Sequence, residues 1–86
     1  MAQYVLQFYN QTNTDPSKPP GRLIKNYQVT EEAPIRPAED VPSNRDQMII
    51  EDDDLYSEIV EAYNNYPGDP ANLIFTYDLE AKTVTW

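Results

Sequence analysis

Residues 50–66, IEDDDLYSEIVEAYNNY, most narrowly limit what this chain can fold into. At about 3.6 residues per helical turn, Leu55, Tyr56, Ile59, Val60, Tyr63 and Tyr66 fall on one side, and Glu51, Asp54, Glu58 and Glu61 on another. The first set must be buried against a second layer of structure, and the second must face water or a partner. Asp52 or Asp53 can cap the first amides, and the acids of the opening turn complement the positive end of the helix dipole. Asn64 and Asn65 lie near the far end, and Pro67-Gly68-Asp69-Pro70 cannot continue a helix.

The remaining segments predict strands. Residues 2–10 place Tyr4, Leu6 and Phe8 on one side of an extended chain and Gln3, Val5, Gln7 and Tyr9 on the other, which predicts a strand with one buried face. Residues 11–21, QTNTDPSKPPG, concentrate turn formers and predict an exposed loop. Residues 22–30 follow, with Leu23, Lys25, Tyr27 and Val29 alternating against Ile24, Asn26 and Gln28, and return antiparallel to the first strand. Residues 31–47 carry Pro34, Pro37 and Pro42 and predict an extended or flexible crossover, with Met48, Ile49 and Ile50 pinning its end to the core. After the helix, residues 72–77 alternate Leu73, Phe75 and Tyr77 against Ile74 and Thr76, and residues 82–86 complete a hairpin with Val84 and Trp86 on one face. The expected fold is α+β: one domain over residues 1–86, a four-stranded antiparallel sheet of two hairpins with one helix on one face, in the order ββαββ.

An 86-residue chain buries only about 60 to 65% of the surface it exposes when unfolded. With seven tyrosines among 12% aromatic residues, amphipathic rings must supply much of that burial. The formal net charge is −9. It is unevenly placed: residues 1–30 hold one acid and three bases (net +2), and residues 31–86 hold fourteen acids and three bases (net −11). Such a field disfavours direct binding of nucleic acid or anionic membrane and favours a basic protein surface, including that of a nucleic-acid-binding protein. No apolar run approaches the roughly 20 residues needed to span a bilayer, Met1 is not followed by a signal-like segment, and a cytoplasmic location is expected.

Catalysis is not expected. Cysteine and histidine are both absent, which removes thiolate nucleophiles, disulfides, the commonest transition-metal ligands and the usual general base near neutral pH. Ser17, Ser43 and Ser57 have no activating partner in a recognisable pattern. Asp52, Asp53 and Asp54, with Glu51 and Glu58, could attract a hard cation, but the run lacks the glycine and terminal glutamate of a calcium loop, so neither metal nor cofactor is expected.

The leading functional expectation is a small acidic binding domain. Its candidate contact residues are Glu51, Asp52, Asp53, Asp54, Glu58 and Glu61, which repeat negative charge along a helix as a phosphate track does, with Tyr66 and Trp86 as aromatic contacts. Engaging a basic protein groove in this way would make the chain an inhibitor or nucleic-acid mimic. The alternative is a structural or assembly subunit that binds, or self-associates, through tyrosines, loops and a sheet edge. In size and composition the chain is similar to small bacteriophage proteins, some of which inhibit host nucleic-acid enzymes and some of which join virions.

Overall fold

A computed structural model describes residues 2–30 and 41–86. The elements are β1 (Tyr4–Tyr9), β2 (Leu23–Gln28), β3 (Arg45–Ile50), α1 (Asp53–Asn64), β4 (Thr76–Asp78) and β5 (Thr83–Thr85). The α+β class holds, but the sheet is not the single four-stranded one expected. A three-stranded sheet has the order β2-β1-β3, and β4 and β5 form a separate two-stranded sheet.

The difference starts at residues 45–50. The prolines place residues 45–47 in a crossover, yet Arg45–Ile50 is a strand that pairs antiparallel with β1 along its full length, Tyr4 opposite Ile50 and Tyr9 opposite Arg45. With β2 already on its other edge, β1 is a central strand, and the C-terminal hairpin has no edge of β1 left to join. Residues 31–40 of the proline-rich stretch lie outside the described residues. Because β2 and β3 are both antiparallel to β1, they run parallel to each other.

Centrality also changes the burial of β1. The alternation predicts one buried face, but Val5 (0% exposed), Gln7 (2%) and Tyr9 (5%) are as enclosed as Leu6 and Phe8. Only Leu6 and Phe8 belong to the main core. On the opposite face the Gln7 amide donates to the Gln47 side chain at 3.3 Å, and the Lys18 ammonium sits over the Tyr9 ring, 5.4 Å from its centre. A polar residue buried this deeply needs such a partner.

A bulge re-aims β2. Gln7 pairs with Lys25 and Phe8 with Leu23, which leaves Ile24 as the extra residue. Before the bulge Leu23 faces the core; after it, Asn26 and Gln28, opposite Leu6 and Tyr4, take that side. The simple alternation of Leu23 with Lys25 and Tyr27 is therefore broken, and the Tyr56 hydroxyl of α1 reaches Asn26 Oδ1 at 3.4 Å.

The main core joins Leu6 and Phe8 of β1, Leu23, Met48 and Ile50 to Ile59 of α1 and to Leu73, Phe75 and Val84. Met48 and Ile50 do anchor to the core, as the apolar run predicts. The helix stripe packs as expected through Leu55, Tyr56, Ile59 and Tyr63, with Ala62 rather than Val60 as its further contact, and Tyr66, beyond the end of α1, packs against the same core. Ile59 is fully buried, and burying such a side chain contributes roughly 1.5 to 3 kcal/mol. At the other end of the core, Phe8 stacks on Tyr77 with ring centres 4.5 Å apart and meets Phe75 at 5.7 Å.

The second sheet is tied to the first at Gly21. The inward alternation of Leu73, Phe75 and Tyr77 is present, although regular pairing begins only at Thr76 and Pro70–Asn72 form a 3-10 turn capped by Asp69. Arg22 and Ile74 form an isolated antiparallel bridge. Phe75 N–H donates to Gly21 C=O at 2.9 Å, and Gly21 N–H donates to Tyr9 C=O at 2.7 Å. Gly21 has φ +84, and a Cβ there would lie 2.3 Å from Phe75 O. Gly68 also has positive φ, +95, but a Cβ would meet nothing within 4 Å. Gly68→Ala therefore tests backbone strain alone, expected at roughly 1 to 3 kcal/mol. Gly21→Ala adds the backbone collision and should lower the urea midpoint clearly more; equal losses would show that the junction does not depend on close approach.

Candidate functional site

The acidic residues named from the sequence separate into two groups once folded. Asp52 is the N-cap of α1, its Oδ1 accepting from Leu55 N–H at 3.1 Å. Asp53 accepts the Tyr4 hydroxyl at 2.6 Å, and Tyr4 in turn stacks on Tyr56 with ring centres 4.0 Å apart. Glu51 precedes the cap and so lies outside the helix, where it accepts from the Gln3 amide at 3.3 Å. These three carboxylates, although exposed, serve the local fold: Asp52 caps α1, and Glu51 and Asp53 tie its start to Gln3 and Tyr4.

Asp54, Glu58 and Glu61 form the second group. They lie on α1 at positions i, i+4 and i+7, are exposed, and form no ion pair among the described residues. Their steps along the helix axis are about 6 and 4.5 Å. The last turn of α1 contains no basic residue to offset them. This row is what the sequence describes as the acidic face, without Glu51.

Of the two aromatic candidates, Tyr66 is half-buried and packs against the core. Trp86 is 52% exposed and leans edge-on against Phe75, with ring centres 5.9 Å apart. The fold brings Trp86 to the helix. Leu55, Glu58, Val84, Thr85 and Trp86 line one shallow groove of about 330 Å³. Glu58 and Trp86, 28 residues apart in the chain, thus share a surface that spacing cannot reveal, since it depends on β5 lying beside α1.

A larger cleft of about 710 Å³ opens between residues 10–12 and 20–21 on one wall and residues 74–80 on the other. Asp46 and Tyr77 also line it. The Tyr77 hydroxyl donates to Asp46 Oδ2 at 2.7 Å. Burial, and then the hydrogen bond to Asp46, push the Tyr77 phenol above its ordinary range. Tyr4 is raised as well, first by its hydrogen bond to Asp53. Sequence reading does not single out this cleft. The one legible sign is Ile74, a large apolar residue on the outward side of an alternating run, and it is 42% exposed.

Among the described residues no group of three or more carboxylates is placed to hold a metal ion, and no helix is long and apolar enough to cross a membrane. No protein-family model, curated protein or solved structure matches the chain.

Two measurements separate structural acids from free ones. Asp52→Ala should cost about 1 kcal/mol through loss of the cap, whereas Glu61→Ala should stay within about 0.5 kcal/mol of the parent protein. A phenol whose pKa is raised by folding stabilises the folded state fully below its unfolded pKa, near 10, and this contribution is lost as pH rises toward the folded value. The melting temperature should therefore fall as pH is raised past about 10, and fall less steeply in Tyr77→Phe and Tyr4→Phe.

Proposed function

We propose that this chain is a non-catalytic acidic domain that binds a basic protein surface through Asp54, Glu58 and Glu61 together with Trp86, and so acts as an inhibitor or nucleic-acid mimic. The observation carrying this reading is the groove in which Glu58 and Trp86 meet, beside carboxylates free of ion pairs among the described residues. An arginine or lysine entering it gains a carboxylate on one side and an indole on the other. The indole face attracts a cation through its quadrupole, worth about 0.5 to 2 kcal/mol depending on desolvation. The apolar stem of the same side chain can lie on Leu55 and Val84. The unpaired row would steer such a partner and make association fall with salt.

The second reading, a structural or assembly subunit, is favoured by the place of β3 at one end of the strand order β2-β1-β3 among the described residues. Attachment there would depend on main-chain hydrogen bonds rather than on the helix charges.

Trp86 is the only tryptophan, so its fluorescence reports on the groove. Titration with an Arg/Lys-rich peptide should change that fluorescence with an affinity that weakens as salt is raised. Glu58→Lys should weaken it by roughly tenfold or more, about 1.4 kcal/mol. The double variant Thr14→Lys/Ser43→Lys changes net charge equally at exposed loop positions outside the groove and should have a much smaller effect. Equal losses in the two would show attraction to net charge alone and reject the site; binding indifferent to salt and to Glu58→Lys would favour the assembly reading.

A further inference from the structure

The cleft beside β4 has a composition distinct from the helix groove and is lined by a strand edge. β4 pairs with β5 through Thr76–Thr85, Tyr77–Val84 and Asp78–Thr83. On its other edge the backbone of the same run is joined to the first sheet, among the described residues, at Ile74, through the bridge to Arg22, and at Phe75, through the bond to Gly21. Beyond that point the two walls part, and Thr76, Tyr77 and Asp78 line the cleft opposite Asn10, Gln11 and Thr12. Among the described residues the backbone of Thr76–Asp78 has no hydrogen-bonded neighbour on this side. An unsatisfied strand edge facing a cleft is a template for an added strand.

The side chains around that edge specify what could be added. Asp46 is half-buried; its Oδ2 accepts the Tyr77 hydroxyl, and its Oδ1 has no partner among the described residues. Glu80 also lines the cleft, with no hydrogen bond to its carboxylate among the described residues, and Asp78 Oδ1 accepts from the amides of Glu80 and Ala81. Among the described residues no lysine or arginine lines the cleft. Ile74 and Leu79, 42% and 44% exposed, flank the open edge. The volume, about 710 Å³, accommodates several residues and lies within the range of roughly 300 to 1,000 Å³ typical of ligand sites.

We propose that this cleft binds an extended basic peptide segment, added as a strand to the open edge of β4, with an arginine or lysine on Asp46 Oδ1 and apolar side chains on Ile74 and Leu79. Main-chain bonds supply attachment, and Asp46 supplies selectivity for charge, since a half-buried carboxylate rewards a cation more than an exposed one does. This site is independent of the helix groove and does not require the reading of that groove to hold.

The probe is the tripeptide acetyl-Leu-Arg-Leu-amide, titrated into the full chain and followed by amide chemical shifts. Shifts are expected at residues 10–12 and 74–80. Binding should weaken by at least tenfold, about 1.4 kcal/mol, when citrulline replaces arginine, when the central peptide nitrogen is methylated, and in Asp46→Asn. Asparagine keeps an acceptor for Tyr77; should Asp46→Asn nevertheless unfold, Leu79→Ser at an exposed position gives a second variant, expected to weaken binding severalfold. Shifts confined to α1 and the Trp86 indole, equal binding of the citrulline or N-methyl peptide, or equal binding of arginine amide alone would overturn the proposal. Because the two sites give separate resonances, loss of one reading leaves the other measurable.

Discussion

Pairing of β1 on both edges is the constraint on which the other features depend. A strand with neighbours on either side has its backbone donors and acceptors satisfied and both faces available for burial, so it can carry a core that an 86-residue chain otherwise struggles to enclose. Leu6 and Phe8 then anchor the helix-side core, and Val5, Gln7 and Tyr9 fill the opposite side. The same pairing consumes both edges of β1, so the C-terminal hairpin does not pair with that strand. Among the described residues that hairpin packs by its side chains and joins the first sheet by backbone bonds at Gly21 and Arg22.

The cleft follows from this arrangement. Two sheets tied at one bridge diverge beyond it, and the space between them is lined by whatever residues each happens to present. Here one wall carries Asp46, held at the sheet margin opposite Phe8, and the other carries the outward residues of a short strand. The helix groove has a comparable origin. β5 brings Val84 into the core, and the chain's last residue is left beside Glu58 rather than enclosed. Both candidate surfaces are boundaries between independently formed elements, where functional clefts commonly occur.

The helix was the most legible element because its signals agree at every level. Periodicity, the cap at Asp52, the acidic first turn and the Pro-Gly turn all concern residues within one segment, so local chemistry fixes them. Its acidic face was legible as charge but not as roles. Whether an aspartate caps, bonds a tyrosine or stands free depends on its neighbours in space: Asp53 meets Tyr4, 49 residues away in sequence, whereas the side chain of Asp54, the next residue, has no partner among the described residues. The alternation of β1 and of residues 73–77 was equally clear. The β2 faces were misjudged because a bulge at Ile24 shifts the period by one, and a bulge has no reliable mark in a single sequence.

By itself, the sequence determined an acidic α+β chain with one capped amphipathic helix, an N-terminal antiparallel hairpin and a second hairpin at its end, because capping, turns and period-two or period-3.6 burial are local properties of the chain. Only the tertiary structure decided that residues 45–50 complete the first sheet, that the second hairpin forms a separate sheet, and that Glu58 and Trp86 line one groove while Asp46 and β4 line one cleft. Those outcomes depend on competition for the two edges of one strand. That competition is resolved between segments distant in sequence, so no local pattern records its result.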